Sequence, residues 1–337
     1  MMFLCEMLGM GIIMNIRYGI IGLGAIAKRF VKVLNTVEGA ELVAVAARDK
    51  AKAVAFADEF HAKKAYNSYN ELINDKEVDV VYVALTHNFH YEVVRLCLNK
   101  GKAVLCEKPL TTSEKDTEEL VALSREKNVL LMEAMWMKCI PAYKKAKEWV
   151  QTGKIGDVKL INASFGNNAV FDAESRLFNP NLAGGSLYDV GVYPIQFATG
   201  ILNEEPEVVN GLATICETGV DEFAAINMSF KSGVLATLSC GLTAYTNRDA
   251  RIYGTLGNII LYDFYGSQKC ELYDSENNLK ECFGESFEDG FIYEIEHFNE
   301  LYRTNKIESD IIPHKDVILC AKIVDNLLGK MGKVIKE

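Results

Sequence analysis

The 337-residue sequence has no CxxC pair among its nine cysteines, and its five histidines form no HExxH or matched Cys/His spacing. Those absences argue against a structural or catalytic zinc site and against a disulfide framework. Thiols scattered through a chain of this size point instead to a reducing, cytoplasmic setting. No apolar run reaches the roughly 18 residues expected of a membrane span. A basic excess is also lacking. With 36 Lys and Arg against 46 Asp and Glu, the formal charge is −10, which leaves no basic stripe to displace counterions from nucleic acid. Internal repeats and low-complexity linkers are absent as well. The apolar first 13 residues contain Glu6, lack a basic flank and precede a second start at Met14. They are expected to be an extension rather than a signal peptide.

What is present is an ordinary globular composition, 49% hydrophobic and 24% charged, in a chain long enough for two cores. Arg17–Ile21 is a short apolar strand that runs into Gly22-Leu23-Gly24-Ala25-Ile26-Ala27, and a helical pattern through Phe30, Val31 and Leu34 follows. This is GxGxxA between a strand and a helix, the setting a dinucleotide site requires. Gly22 allows the tight turn and Gly24 the close approach of a pyrophosphate. The amides of the first helical turn, at Ala25 and Ile26, would hold it.

The second strand, 41–47, ends at Ala47-Arg48-Asp49, where an acidic residue would normally bind the ribose diol of NAD. A guanidinium there suits a 2′-phosphate, so NADP is favoured over NAD. The other reading leaves Arg48 in solvent and gives the ribose to Asp49. Further strands at 78–85 and 103–106 alternate with helices at 51–60, 69–74 and 90–100, which predicts a doubly wound parallel sheet. Its ligand edge would carry Gly22, Thr86-His87-Asn88 and Glu107.

Gly22–Ala27, Thr86–His90, Glu107-Lys108-Pro109 and Gly184–Pro194, taken in that order, resemble the Gfo/Idh/MocA family, named for glucose–fructose oxidoreductase and inositol dehydrogenase. Met132-Glu133-Ala134-Met135-Trp136 and Tyr193 look most like its dimeric dihydrodiol and NADP-dependent D-xylose dehydrogenase branch. His87, often proline in the family, and Lys138, often arginine, depart from the pattern. The resemblance implies an N-terminal Rossmann domain (14–135) and a C-terminal domain (136–337) with a large, mainly antiparallel, open-faced sheet for substrate binding and dimerisation.

It also implies site residues. Glu107 would bind the nicotinamide ribose, Lys108 would stand at the reacting centre, and the peptide before Pro109 would be cis. His90 would lie near the same ribose, or else satisfy a local backbone carbonyl. Trp136 and Phe165 would form an aromatic wall for the substrate or pack between the domains. Arg176 would contact substrate or form a surface ion pair.

Oxidising an alcohol needs hydride departure and removal of a hydroxyl proton. A tyrosine is a poor base at neutral pH unless a nearby ammonium lowers its pKa from ~10. Lys108 and Tyr193 fit that division of labour. Asp189, four residues before Tyr193, would share its helix face and bind a substrate hydroxyl or orient the pair; the plainer reading makes Asp189 a helix cap and Tyr193 a half-buried core aromatic. Strands then follow one another from about residue 206, and helices close the chain at 291–303 and 314–331.

The function expected is an NADP-dependent dehydrogenase or reductase of a sugar or trans-cyclic diol, acting as a homodimer without nucleic-acid or membrane partners. Two alternatives stand beside it: a non-catalytic NADP-binding sensor, and a redox-neutral, cofactor-assisted glycosidase or epimerase. Retention of both Lys108 and Tyr193 argues against the sensor.

Overall fold

The computed structural model describes residues 15–331; the reading of 1–13 as an extension lies outside them. Six strands form the first sheet: β1 (Ile16–Ile21), β2 (Ala40–Ala46), β3 (Lys64–Tyr66), β4 (Val80–Val83), β5 (Ala103–Glu107) and β6 (Leu131–Ala134). Their order is β3-β2-β1-β4-β5-β6, and every pairing is parallel. Each residue of β4 and β5 is buried, as helices on both faces of a parallel sheet demand. The first helix, α1 (Ala25–Leu34), lays Ala27, Phe30, Val31 and Leu34 on the sheet. Phe30 stacks on Tyr82 of β4 with ring centroids 3.6 Å apart. The strand order reverses between β1 and β4, so a cleft opens beyond their carboxyl ends. That is where Gly22 and Thr86 stand.

The second sheet holds β7 (Val158–Gly166), β8 (Pro206–Ile215), β9 (Asp221–Phe230), β10 (Leu235–Gly241), β11 (Ala250–Gly254), β12 (Gly257–Leu261), β13 (Lys269–Asp274) and β14 (Leu279–Gly284). Its order is β14-β13-β12-β11-β7-β10-β9-β8. Only β7 and β10 pair in parallel; the other neighbours are antiparallel. Alternation divides its faces. Ile161, Ala163, Phe165, Ile226, Met228 and Leu238 are buried, on the side packed by two further helices, Pro141–Gln151 and Val192–Leu202. Asn227, Leu235 and Thr237 on the other side are exposed.

One local departure matters for the site. The segment Leu187–Gly191 is a π-helical turn that leads into the α-helix Val192–Leu202, rather than the start of a uniform α-helix. Its entry is fixed from the second sheet, because the buried Asp221 carboxylate accepts from Ser186 Oγ and Leu187 N, each at 2.7 Å. Gly185 has φ +120°, and a Cβ there would lie 2.3 Å from that carboxylate. The wide turn carries Asp189 between this anchor and Tyr193.

The cross-over from the first sheet is tied down by Lys138, fully buried and 2.9 Å from Asp316 of the last helix, His314–Met331. Among the described residues, eight cysteines are free thiols, no helix is long and apolar enough to cross a membrane, and no His/Cys/Asp/Glu group could hold a metal ion.

Candidate active site

A cleft of about 390 Å³ lies between the two sheets. On its nucleotide side, Gly22 has φ +91°, and a Cβ there would sit 2.4 Å from the Ala84 carbonyl oxygen, so glycine is required. Around Gly24 a Cβ would meet nothing within 4 Å, and the helix that starts there has no side-chain cap. Open space beside uncapped amides fits a pyrophosphate. Ala25 and Ile26 line the same end.

At the end of β2, the Asp49 carboxylate is already engaged as the N-cap of the helix Lys50–Phe60, accepting from Ala51 N at 2.8 Å. The exposed guanidinium of Arg48 lies 5.5 Å over the Phe89 ring. Of the two residues that could meet the ribose, Asp49 is therefore the one committed elsewhere.

Thr86 and His87 line the cleft, whereas Gly22, Arg48, Asn88 and His90 do not. Asn88 accepts from Thr86 Oγ1 at 2.8 Å and donates to the Asn181 carbonyl at 2.9 Å. His87 Nδ1 lies 3.1 Å from the Ala183 carbonyl oxygen. Both side chains thus join the edge of the first sheet to the loop before Gly184. His90 is fully buried, with Nδ1 2.8 Å from Pro109 O and Nε2 3.1 Å from Leu85 O. Of its two readings, the backbone-carbonyl one describes the contacts observed.

The strap 107–110 is held from beneath. Glu107 accepts from Tyr82 Oη at 2.5 Å, and burial raises its carboxyl pKa. The Lys108–Pro109 peptide is cis. Glu133, also buried, accepts from Leu110 N at 2.9 Å and from Gln196 Nε2 at 2.6 Å. One carboxylate therefore fixes both the lysine-bearing strap and the helix that carries Tyr193.

Lys108 Nζ donates to the Asp189 carbonyl at 2.5 Å and lies 3.6 Å from its carboxylate. Arg176 reaches the same carboxylate at 2.8 Å. Burial would raise the Asp189 pKa, but Lys108 and Arg176 outweigh it and hold the group well below the usual carboxylate range. The Lys108 ammonium faces the Tyr193 ring, 5.3 Å from its centroid.

The expected depression of the Tyr193 pKa is reversed. Burial and the nearby Glu107 carboxylate push it well above its ordinary value, more than the Trp136 N–H bond lowers it. That indole donates to Tyr193 Oη at 3.1 Å.

The aromatic wall is larger than the sequence suggested. Trp136 and Phe165 are both in it, and Phe165 stacks on Tyr265 at 4.4 Å. Phe291 packs edge-on against Trp136 at 5.3 Å. The indole edge is slotted between Gly266 and Gly290, where a Cβ would come within 2.6 and 2.7 Å of it. Arg29 sits 4.9 Å over Trp136 and 4.1 Å over Phe291 while chelating Asp289 at 2.6 and 2.8 Å. Tyr265, Phe291, Arg29 and Asn167 line the cleft without a motif that marks them.

Residues 16–135 match the GFO/IDH/MocA oxidoreductase family, NAD-binding Rossmann fold, and residues 143–260 match the GFO/IDH/MocA C-terminal domain. The chain is similar to trans-1,2-dihydrobenzene-1,2-diol dehydrogenase of Xenopus laevis, 36% identical over 328 residues that cover 95% of this chain and 99% of that one. To the Homo sapiens enzyme of the same name it is 33% identical over 331 residues, 95% of this chain and 98% of that one. Among solved structures it resembles KijD10, a 3-ketoreductase from Actinomadura kijaniata, in complex with NADP and TDP-benzene. The TM-score is 0.85 at 26% identity, covering 93% of this chain and 97% of the other.

Proposed function

The chain belongs to the GFO/IDH/MocA oxidoreductase family, and on that premise we propose that it uses NADP to interconvert a trans-cyclic diol or sugar with its carbonyl form. It is an NAD(P)-dependent oxidoreductase that moves hydride between a nicotinamide and a hydroxyl or carbonyl carbon. The observation that carries the reading is the convergence of Lys108, Asp189 and Tyr193 on one cleft whose other end is an uncapped helix N-terminus.

Gly24, Ala25 and Ile26 would hold the pyrophosphate, Glu107 the nicotinamide ribose and Arg48 the 2′-phosphate. The bound nicotinamide supplies or accepts the hydride. The chain supplies charge and a proton.

Lys108, fixed by the Asp189 carbonyl, would hold its ammonium beside a developing alkoxide oxygen, and a preorganised cation stabilises such charge. Tyr193 is a neutral phenol whose oxygen is occupied as an acceptor by Trp136. Its own hydrogen has no acceptor among the described residues and is free to go to a carbonyl oxygen during reduction. Reduction leaves a phenolate that regains a proton from solvent, and oxidation runs in reverse: the phenol first gives its proton to solvent, and the phenolate then takes the hydroxyl proton. Asp189 stays ionised and keeps Lys108 and Arg176 in place.

The aromatic wall of Trp136, Phe165, Tyr265 and Phe291 suits the apolar face of a ring, and the opposite, polar wall suits its hydroxyls. The Rossmann unit is assigned to 14–135 and the substrate and dimerisation unit to 136–337. A homodimer would cover the outer face of the second sheet, where Leu212 and Leu235 are exposed.

Purified protein with NADP and a panel of trans-cyclic diols, aldopyranoses and inositols tests the reading by growth of the reduced-nicotinamide absorbance. Turnover of at least one diol or sugar is expected. No turnover across the panel, with NADP bound, would overturn it.

A further inference from the structure

His87 is held on the polar wall of the cleft in a way the steps above do not use. It opens the short turn His87–Phe89 after β4. Its ring packs edge-on against His90 and Tyr188, with centroids 5.9 and 6.3 Å away. The Nδ1 contact to the Ala183 oxygen fixes the tautomer, since a carbonyl can only accept and Nδ1 must therefore carry the hydrogen. The lone pair is left on Nε2, which has no hydrogen-bond partner among the described residues, although His87 lines the cleft. In neighbouring His90, by contrast, both nitrogens meet carbonyls.

Protonation does not cancel this acceptor at neutral pH. Burial, with the positive charge of Lys108 and the neighbouring His90, pushes the imidazole pKa down to about 3.

Of the other polar groups at the reacting end, Asp189 Oδ2 and the Asn167 amide remain as acceptors, and the rest donate or are paired. Lys108, Arg176 and Tyr193 donate, Asp189 Oδ1 is taken by Arg176, and Glu107 Oε1 by Tyr82. A diol brings a hydroxyl that must donate as well as accept. We propose that His87 is a specificity-determining residue whose Nε2 accepts a hydrogen bond from the hydroxyl adjacent to the reacting carbon, so that the site selects vicinal diols over simple alcohols. This rests on the reading of the cleft as a diol or sugar site and deepens it. A substrate without that hydroxyl leaves the acceptor unpaired. Sites that bind a substrate hydroxyl discriminate on that ground, and an acceptor left unpaired corresponds to a preference of about 10–100-fold.

The test compares kcat/KM for trans-cyclohexane-1,2-diol and cyclohexanol, each with NADP, in wild type, His87→Asn and His87→Gln. Asparagine can still donate to the Ala183 carbonyl but places nothing where Nε2 was; glutamine carries an amide oxygen to that place. Wild type is expected to prefer the diol about 10–100-fold. In His87→Asn the ratio should fall to within about threefold of one, chiefly through KM for the diol, because the bond exists before and during the chemical step. His87→Gln should keep most of the preference and serves as the decisive variant if the asparagine form does not fold.

Two results would overturn the assignment: no preference in wild type, or equal losses on both substrates in the variants, which a merely structural role produces. If wild type turns over neither these substrates nor any sugar, the underlying reading falls, and this one falls with it.

Discussion

Replacing Lys108 by methionine keeps an unbranched chain of similar reach and deletes one charge. The ammonium lies 3.6 Å from the Asp189 carboxylate and 2.5 Å from the Asp189 carbonyl, so its loss has two separable consequences. The first concerns the reaction. A preorganised donor to a developing oxyanion contributes about 2.7–4 kcal/mol, or roughly 10²–10³ in kcat.

The second concerns stability. Removing one partner of a buried pair costs about 3–5 kcal/mol when the other charge is stranded, but Asp189 retains Arg176 at 2.8 Å. The expected loss is therefore smaller, about 1–2 kcal/mol, or a few degrees in Tm for a chain of this size. Steady-state kinetics at the reduced-nicotinamide band, NADP titration by fluorescence and a thermal melt separate these effects. A kcat at least 100-fold lower, with NADP affinity within about threefold of wild type, is the expected result. A folded, NADP-bound variant with kcat within threefold of wild type would refute the role given to the ammonium.

Arg48→Ala removes the proposed 2′-phosphate contact. Charge-assisted bonds contribute about 1.5–3 kcal/mol, so the Kd for NADP should rise roughly 10–100-fold while that for NAD changes little; equal weakening of both would defeat the assignment. Asp189→Asn tests the depressed carboxyl. Because the folded pKa lies below the unfolded value of ~3.9, ionised Asp189 stabilises the fold above that pH, and the benefit fades as pH falls beneath it. The Tm gap between wild type and variant should thus stay level from pH 7 to about pH 4 and shrink progressively as pH falls below that, and a gap that does not shrink below about pH 4 contradicts the pairing. Trp136→Phe removes the 3.1 Å donor to Tyr193 and with it about 1 kcal/mol, so kcat/KM should fall about fivefold. Any basic limb of the pH–rate profile should move upward, since that bond favours the phenolate. An unmoved limb means the indole does not act on the phenol.

The nucleotide end was legible in the sequence because backbone geometry dictates residue type there. Gly22 stands at a positive φ under the Ala84 carbonyl, and the strand before it and helix after it carry plain periodicities. The strands β3, β6, β13 and β14 were not foreseen. β3 and β6 span only 64–66 and 131–134, and β14 is mostly exposed, so none offers a strong apolar pattern.

At the reacting end, the residues Lys108, Asp189 and Tyr193 could be named, but the sign of the Tyr193 shift could not. It depends on burial and on Glu107, and the ammonium faces the ring rather than the hydroxyl. The π-helical turn was hidden because a four-residue spacing looks the same whichever hydrogen-bond ladder lies beneath it. Tyr265 and Phe291 reach the cleft from more than a hundred residues beyond Trp136, a juxtaposition made by tertiary structure alone. Glu133 lies in a recognised motif, yet its role as a tie between the strap and the Tyr193 helix arises only where folding brings Leu110 N and Gln196 Nε2 to one carboxylate.

The central claim is that a hydride leaves a hydroxyl-bearing carbon in this cleft and ends on the nicotinamide. The most direct measurement uses trans-cyclohexane-1,2-diol deuterated at both carbinol carbons, incubated with NADP and the protein, with the mass of the recovered cofactor determined. One deuterium per reduced NADP, matched by one equivalent of hydroxyketone, is the predicted result. Reduced cofactor without the label, or a diol converted while the cofactor returns unlabelled and oxidised, would contradict it.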